Sequence, residues 1–151
     1  FENFEVLDMK NDRDRTALQY DINFKAGNFS KSVGSSFIFR AVPIYANSFY
    51  HEDETRALPF ETRFAYEDEY EISYKVPAGY MIEEIPVNGT FSSDFGSYRL
   101  SFEKKDDQLI VKRFIHIKKG IYPKDRYNEY VNFRKKIMNA DNSKILISKK
   151  S

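Results

Sequence analysis

The spacing of apolar residues changes type twice near the end of this 151-residue chain, and that order limits the folds open to it. Through Lys119 the apolar positions alternate between tight turns. At Tyr122-Pro123 they switch to helical spacing. At Ser143 a β-branched run, Ile145-Leu146-Ile147, returns to strand character. Alternation puts successive side chains on opposite faces of a sheet, whereas i, i+3, i+4 spacing makes one stripe on a helix. Strands, one late helix and one closing strand predict a mainly β fold: a two-layer antiparallel β-sandwich, Ig- or fibronectin-like in architecture, with one α-helix near the C-terminus.

Residues 1–151 read as a single domain, long enough to bury a core without covalent staples. The chain has no cysteine, which excludes disulfides, thiolate metal sites and a cysteine nucleophile. It has no Trp but 11 Tyr and 14 Phe, aromatics that suit pleated, half-buried surfaces. Net charge is +1, unevenly spread. Residues 1–103 hold 10 Lys/Arg against 18 Asp/Glu, and residues 104–151 hold 14 against 5. The sharp reading is a basic face for an anionic partner. We favour interleaving of the two halves in one sandwich, because the basic residues are scattered over strand and helix faces; no nucleic-acid partner is expected. No apolar run approaches the ~18 residues of a membrane span. The chain begins at Phe1 and not Met, so we expect a processed product or a piece of a longer polypeptide.

Thr16 to Phe24 alternates cleanly, with Leu18, Tyr20, Ile22 and Phe24 on one side, and predicts a half-buried strand; a weaker strand around Phe4 and Val6 precedes it. Ser35 to Pro43 is apolar on both faces, as a central strand would be, and Pro43 stops it. Residues 44–59 read as a long loop. Phe60 to Val76 predicts two strands around an acidic break at Glu67-Asp68. Turns are expected at Pro77-Ala78-Gly79 and Lys105–Gln108, with a two-residue hairpin at Asn88-Gly89. Pro123 is placed as the first helical residue. Tyr127, Tyr130, Val131, Arg134, Ile137 and Met138 form the stripe, Phe133 lies beside it, and Arg134 is expected at its margin. Asp141-Asn142 ends the helix.

One strand carries an anomaly. Leu109, Val111, Ile115 and Ile117 share a face, and Arg113 falls in the middle of it. An unpaired buried charge is costly, so Arg113 is expected to be ion-paired or hydrogen-bonded in a structural role.

No motif identifies an enzyme. His51 with Glu52, Asp53 and Glu54 lacks a second ligand at a metal-site spacing and reads as a solvated loop. Glu67-Asp68-Glu69 lacks a calcium-loop pattern and reads as a polar turn. His116 reads as a surface or rim residue. There is no Gly-rich phosphate loop and no G-x-S-x-G elbow, and no carboxylate pair stands out for glycoside hydrolysis. Neither a cofactor nor a metal is expected. Asn28-Phe29-Ser30 and Asn88-Gly89-Thr90 match the glycosylation acceptor pattern, a short match that arises by chance. Tyr45, Phe49, Tyr50 and His51 are the candidate interaction surface. They would contact a neighbouring domain or another protein, or serve as a platform for a glycan or peptide.

Arg56-Ala57-Leu58-Pro59-Phe60, Val76-Pro77-Ala78-Gly79-Tyr80 with Ile85-Pro86, Arg113-Phe114, Tyr122-Pro123 through Phe133, and Ile145–Lys149 together resemble the C-terminal all-β domain of exported transglutaminase-like proteins of Bacteroidetes-type bacteria. The resemblance spans roughly residues 35–149. It implies an accessory, non-catalytic domain following a transglutaminase-like core, in the periplasm, cell envelope or secreted fraction. That family's catalytic cysteine belongs to the core and has no counterpart here. Under the resemblance, Arg56, Pro59, Phe60, Pro77, Gly79, Tyr80, Arg113, Tyr122 and Pro123 are structural positions.

Overall fold

The computed structural model describes the backbone of residues 2–13, 18–27, 29–43 and 51–150, and of these all side chains except those at 2–4, 11–13, 18, 19 and 24–27. Strands β1 (Glu2–Arg13) and β2 (Leu18–Gly27) form an antiparallel ribbon. β3 (Lys31–Val33), β4 (Ser36–Arg40), β12 (Lys144–Lys149) and β7 (Tyr80–Glu84) form one four-stranded sheet, in the order β3-β4-β12-β7. β6 (Tyr66–Lys75), β10 (Gln108–Ile117), β9 (Gly96–Lys105) and β8 (Gly89–Ser93) form the other, in the order β6-β10-β9-β8. A short pair, β5 (Phe60–Thr62) with β11 (Gly120–Tyr122), precedes the helix α1 (Tyr127–Asp141). Among the described residues every pairing is antiparallel and the fold is mainly β with a single α-helix near the C-terminus, as the spacing predicts.

The inner face of the β6-β10-β9-β8 sheet has two covers. Leu109, Val111, Arg113, Ile115 and Ile117 alternate inward along β10, with Tyr98, Leu100 and Phe102 beside them on β9. At the Leu109 end the face meets the other sheet: the Phe39 and Tyr74 rings lie 5.0 Å apart, and the Tyr74 hydroxyl donates to the Ala41 carbonyl at 3.1 Å. At the Ile117 end it meets α1, whose Val131, Phe133 and Ile137 are buried. Phe133 packs near-perpendicular to Phe91, 6.0 Å away. The closing strand β12 lies between β4 and β7, as a Val/Ile/Leu-type run buried within a sheet should.

Four expectations are corrected. The break after β5 falls at residues 63–65, and Glu67-Asp68-Glu69 lie within β6, opposite His116, Ile115 and Phe114. β6 is an edge strand paired with β10 along its whole length, and its exposed outer face accommodates Glu67, Glu69 and Glu71 in solvent. Asn88-Gly89 is a crossover between sheets and not a hairpin turn. β7 bonds to β12 and β8 to β9, and Asn88 Oδ1 accepts the Phe102 N–H at 2.9 Å. Long-range pairing overrides the local turn preference there. Pro123, at ψ 152°, precedes a 3-10 turn over Lys124–Arg126 that leads into α1, and so is not helical. Arg134 is buried and donates to the Tyr66 hydroxyl at 3.0 Å, because the covered side of the helix is wider than a single stripe.

The ribbon also departs from expectation. Tyr20 and Ile22 on β2 are exposed where the alternation predicts a half-buried strand. Among the described elements β2 pairs with β1 alone. Thr16 and Ala17 lie outside the described residues.

Gly96 opens β9 at φ +152°, where a Cβ would overlap the backbone carbonyl oxygen of His116. The same corner is tied by Lys118 N–H donating to the Phe95 carbonyl at 2.9 Å. Gly96→Ala should therefore cost roughly 2–4 kcal/mol, since both the backbone angle and the close approach oppose a side chain. Urea unfolding measures this, and an unchanged midpoint would show that the β9–β10 corner is not constrained in this way.

Candidate functional site

Arg113 sits where the two covers of the sheet meet. Its neighbour across the β6 ladder is Tyr70 and across the β9 ladder Leu100, and Tyr98 lies diagonally on the same face. α1 ends above it with Asp141. Arg113 Nε donates to Asp141 Oδ1 at 2.7 Å, and Nη2 donates to Oδ2 at 2.9 Å. The Tyr98 hydroxyl donates to Oδ1 at 2.6 Å. The side chains of Arg113 and Asp141 are only 1% and 3% exposed. The guanidinium also lies 5.3 Å from the Tyr70 ring centroid and 5.4 Å from that of Tyr98. A two-pronged arginine–carboxylate pair framed by aromatic rings is among the stronger polar contacts a core can hold. Both carboxylate oxygens are engaged and shielded, so the pair fixes structure and offers no open face to a substrate.

Sequence reasoning singled out Arg113 but missed its partner. The signal was present: Asp141 continues the helical stripe at Ile137+4 and Arg134+7. A positive interruption of an apolar strand face and a negative one at the end of an apolar helix stripe are complementary. Phe95 was likewise missed, and it is 1% exposed.

The predicted structural positions divide between places. Arg56, Phe60 and Tyr122 come together at the start of α1. The Arg56 guanidinium lies over the Tyr127 ring at 4.4 Å, and Phe60 stacks on Tyr122 at 5.2 Å and meets Tyr130 at 5.3 Å. Pro59 and Pro123 flank this aromatic group in the chain as exposed residues. Pro77, Gly79 and Tyr80 lie elsewhere, in the turn into β7. Gly79 there adopts φ +82°, and the Tyr80 N–H donates to the Pro77 carbonyl at 3.0 Å.

Tyr45, Phe49 and Tyr50 lie outside the described residues. His51 is exposed, and the segment after it is tied to α1 of the same chain. Glu52 pairs with Lys135 at 2.6 Å, and Asp53 N–H donates to Asn128 Oδ1 at 3.0 Å. Glu52–Lys135, Asp94–Arg126 and Glu71–Lys112 each join an acid of the first 103 residues to a base of the last 48, the interleaving anticipated from the charge distribution. Among the described residues no group of three or more His, Asp or Glu is placed to hold a metal ion, and no helix is long and apolar enough to cross a membrane.

Residues 35–147 match the family model described as Domain of Unknown Function with solved-structure structure (DUF3858). The chain belongs to this family. The match begins just before β4 and ends within β12, so the DUF3858 unit contains both Arg113 and Asp141, while the β1–β2 ribbon lies outside it. No curated protein and no solved structure matches the chain.

Two predictions follow from the ion pair and its tyrosine. Asp141→Ala should cost about 3–5 kcal/mol by stranding a buried guanidinium, whereas the double variant Arg113→Met/Asp141→Ala should cost less than the two single losses added. A denaturation cycle reads this, and strict additivity would mean the pair is not coupled. Burial, then the Asp141 carboxylate, holds the Tyr98 phenol well above its ordinary value of 10.0, and burial does the same to Tyr74. A folded-state pKa raised above the unfolded one contributes stability that is complete below pH ~10 and lost as pH rises beyond it. Stability should therefore fall above pH ~10, with part of the tyrosinate absorbance at 295 nm appearing only as near-UV dichroism is lost. In Tyr98→Phe the fall should be shallower, and an equal slope in both proteins would remove Tyr98 as its cause.

Proposed function

We propose that this chain is a non-catalytic accessory domain that packs against a transglutaminase-like core within an exported bacterial protein. The family membership supports a recurring structural unit, and the motif resemblance supplies the core and the exported setting. The observation that carries the interaction is the β1–β2 ribbon. Val6, Met9, Tyr20 and Ile22 are between 44% and 54% exposed. Met9 is paired with Ile22 across the ladder and Val6 with Phe24, so these apolar positions share one face. Glu5, Lys10 and Asp21 fall on the other. An isolated two-stranded ribbon is marginal in water, and it gains most from a surface that covers its apolar face.

Of the loop 44–59 expected to make this contact, Tyr45, Phe49 and Tyr50 lie outside the described residues, and Glu52, Asp53 and Arg56 are engaged with α1, so the contact is assigned here to the ribbon. Apolar burial of this kind is worth roughly 25 cal/mol per Å², enough for a few side chains to decide an interdomain contact.

In the full-length protein, Met9→Glu/Ile22→Glu should release this domain from the core. We expect faster proteolytic separation of the two and at least tenfold weaker association of the separately produced pieces, with the sandwich unfolding at its native midpoint. Association unaffected by both charges, or a core and domain that never associate, would overturn the assignment.

A further inference from the structure

At the Leu109 end a slot is lined by residues of both sheets. Phe39, Tyr74, Leu109, Ile147 and Ile82 line a cavity of about 260 Å³. The Phe29, Phe39 and Tyr74 rings close one wall, with centroids 5.0–5.8 Å apart. The polar side chains on the lining are Ser30, Lys75 and Tyr74, and the Tyr74 hydroxyl already donates to the Ala41 carbonyl. Water in such a slot would find few partners. A cavity of roughly 150 Å³ holds a benzene ring, so this one takes an apolar group of about ten carbons.

Lys75, Val76, Pro77 and Ile82 line this slot and also an adjacent groove of about 710 Å³. The charged residues of this groove are Lys75, Lys104 and Lys150 against Asp106 and Asp107. Lys104 Nζ donates at 3.4 Å to the carbonyl of Ile82, a residue that lines both spaces. The two aspartates belong to the β9–β10 turn, where the Asp107 carbonyl accepts the Val76 N–H at 2.7 Å. An apolar slot opening under a majority of lysines is complementary to a molecule with an apolar tail and one negative head.

We propose that the open end of the sandwich binds a free medium-chain carboxylic acid, its tail between Tyr74, Leu109 and Ile147 and its carboxylate against Lys75, Lys104 and Lys150. Among the described residues, none of the ribbon lines the slot or the groove.

Decanoate, titrated calorimetrically below its micelle concentration, is the probe. The native chain should bind it saturably at one site. Reversing the three exposed charges in Lys75→Glu/Lys104→Glu/Lys150→Glu should weaken decanoate by about tenfold or more while changing decanol little, since each exposed charge contact contributes modestly. Ile82→Trp, which fills the slot, should abolish binding of both. Independently of any variant, decanoate protons should show nuclear Overhauser contacts to the Leu109 and Ile147 methyls of the native chain. No saturable binding by the folded native chain, equal affinity in the charge-reversed protein, or contacts confined to other methyls would each overturn the proposal.

Discussion

Arg113 and Asp141 are brought together from the middle of a strand and the last turn of a helix, and the rest of the molecule is arranged around their meeting. The strand face that carries Arg113 is covered on one side by a second sheet and on the other by α1. Asp141 lies at the boundary between these covers. Two residues further on, the Ser143 carbonyl accepts the Ala41 N–H at 2.8 Å, and the chain enters β12. Fixing Asp141 over Arg113 therefore sets where the helix stops and at what register the closing strand enters its sheet. Removing two charges from water is expensive, and only near-ideal geometry compensates for it. Both prongs of the guanidinium and a tyrosine hydroxyl supply that geometry here.

The aromatic side chains explain how a chain without Trp or Cys builds its core. Around the start of α1, Phe60 and Phe95 contact Tyr122 and Tyr130, and Arg56 lies over Tyr127. Rings in tilted and edge-on contact hold the short β5–β11 pair against the helix. The ladder between those two strands is only three residues long and would contribute little alone. The irregular segment from Glu52 to Pro59 is fastened to α1 through Glu52, Asp53 and Arg56.

Much of this was legible because periodicity is a local property. The alternation along β10, the helical stripe from Tyr127, and the closing Ile145-Leu146-Ile147 run all appear in the structure as elements of the type their spacing predicts. The misread places are those where a local signal competed with a distant one. Asn88-Gly89 has turn chemistry, but the strands on either side find better partners in β12 and β9. Glu67-Asp68 looks like a break, but pairing with β10 carries the strand straight through it. Arg134 looks marginal on a helical wheel, but the Tyr66 hydroxyl receives it.

The sequence by itself determined the order and type of the main elements, the absence of thiol chemistry, and the requirement that Arg113 be matched. These depend on side-chain spacing and on the cost of burying a charge, both written along the chain. Only the tertiary structure decided that Asp141 is the match, that one strand face serves two covers, and that Phe95 belongs to the core. It also decided that the apolar side of the β1–β2 ribbon is exposed. Each of these depends on which surfaces meet, and a contact between residues 28 apart, such as Arg113 with Asp141, leaves no period in the sequence.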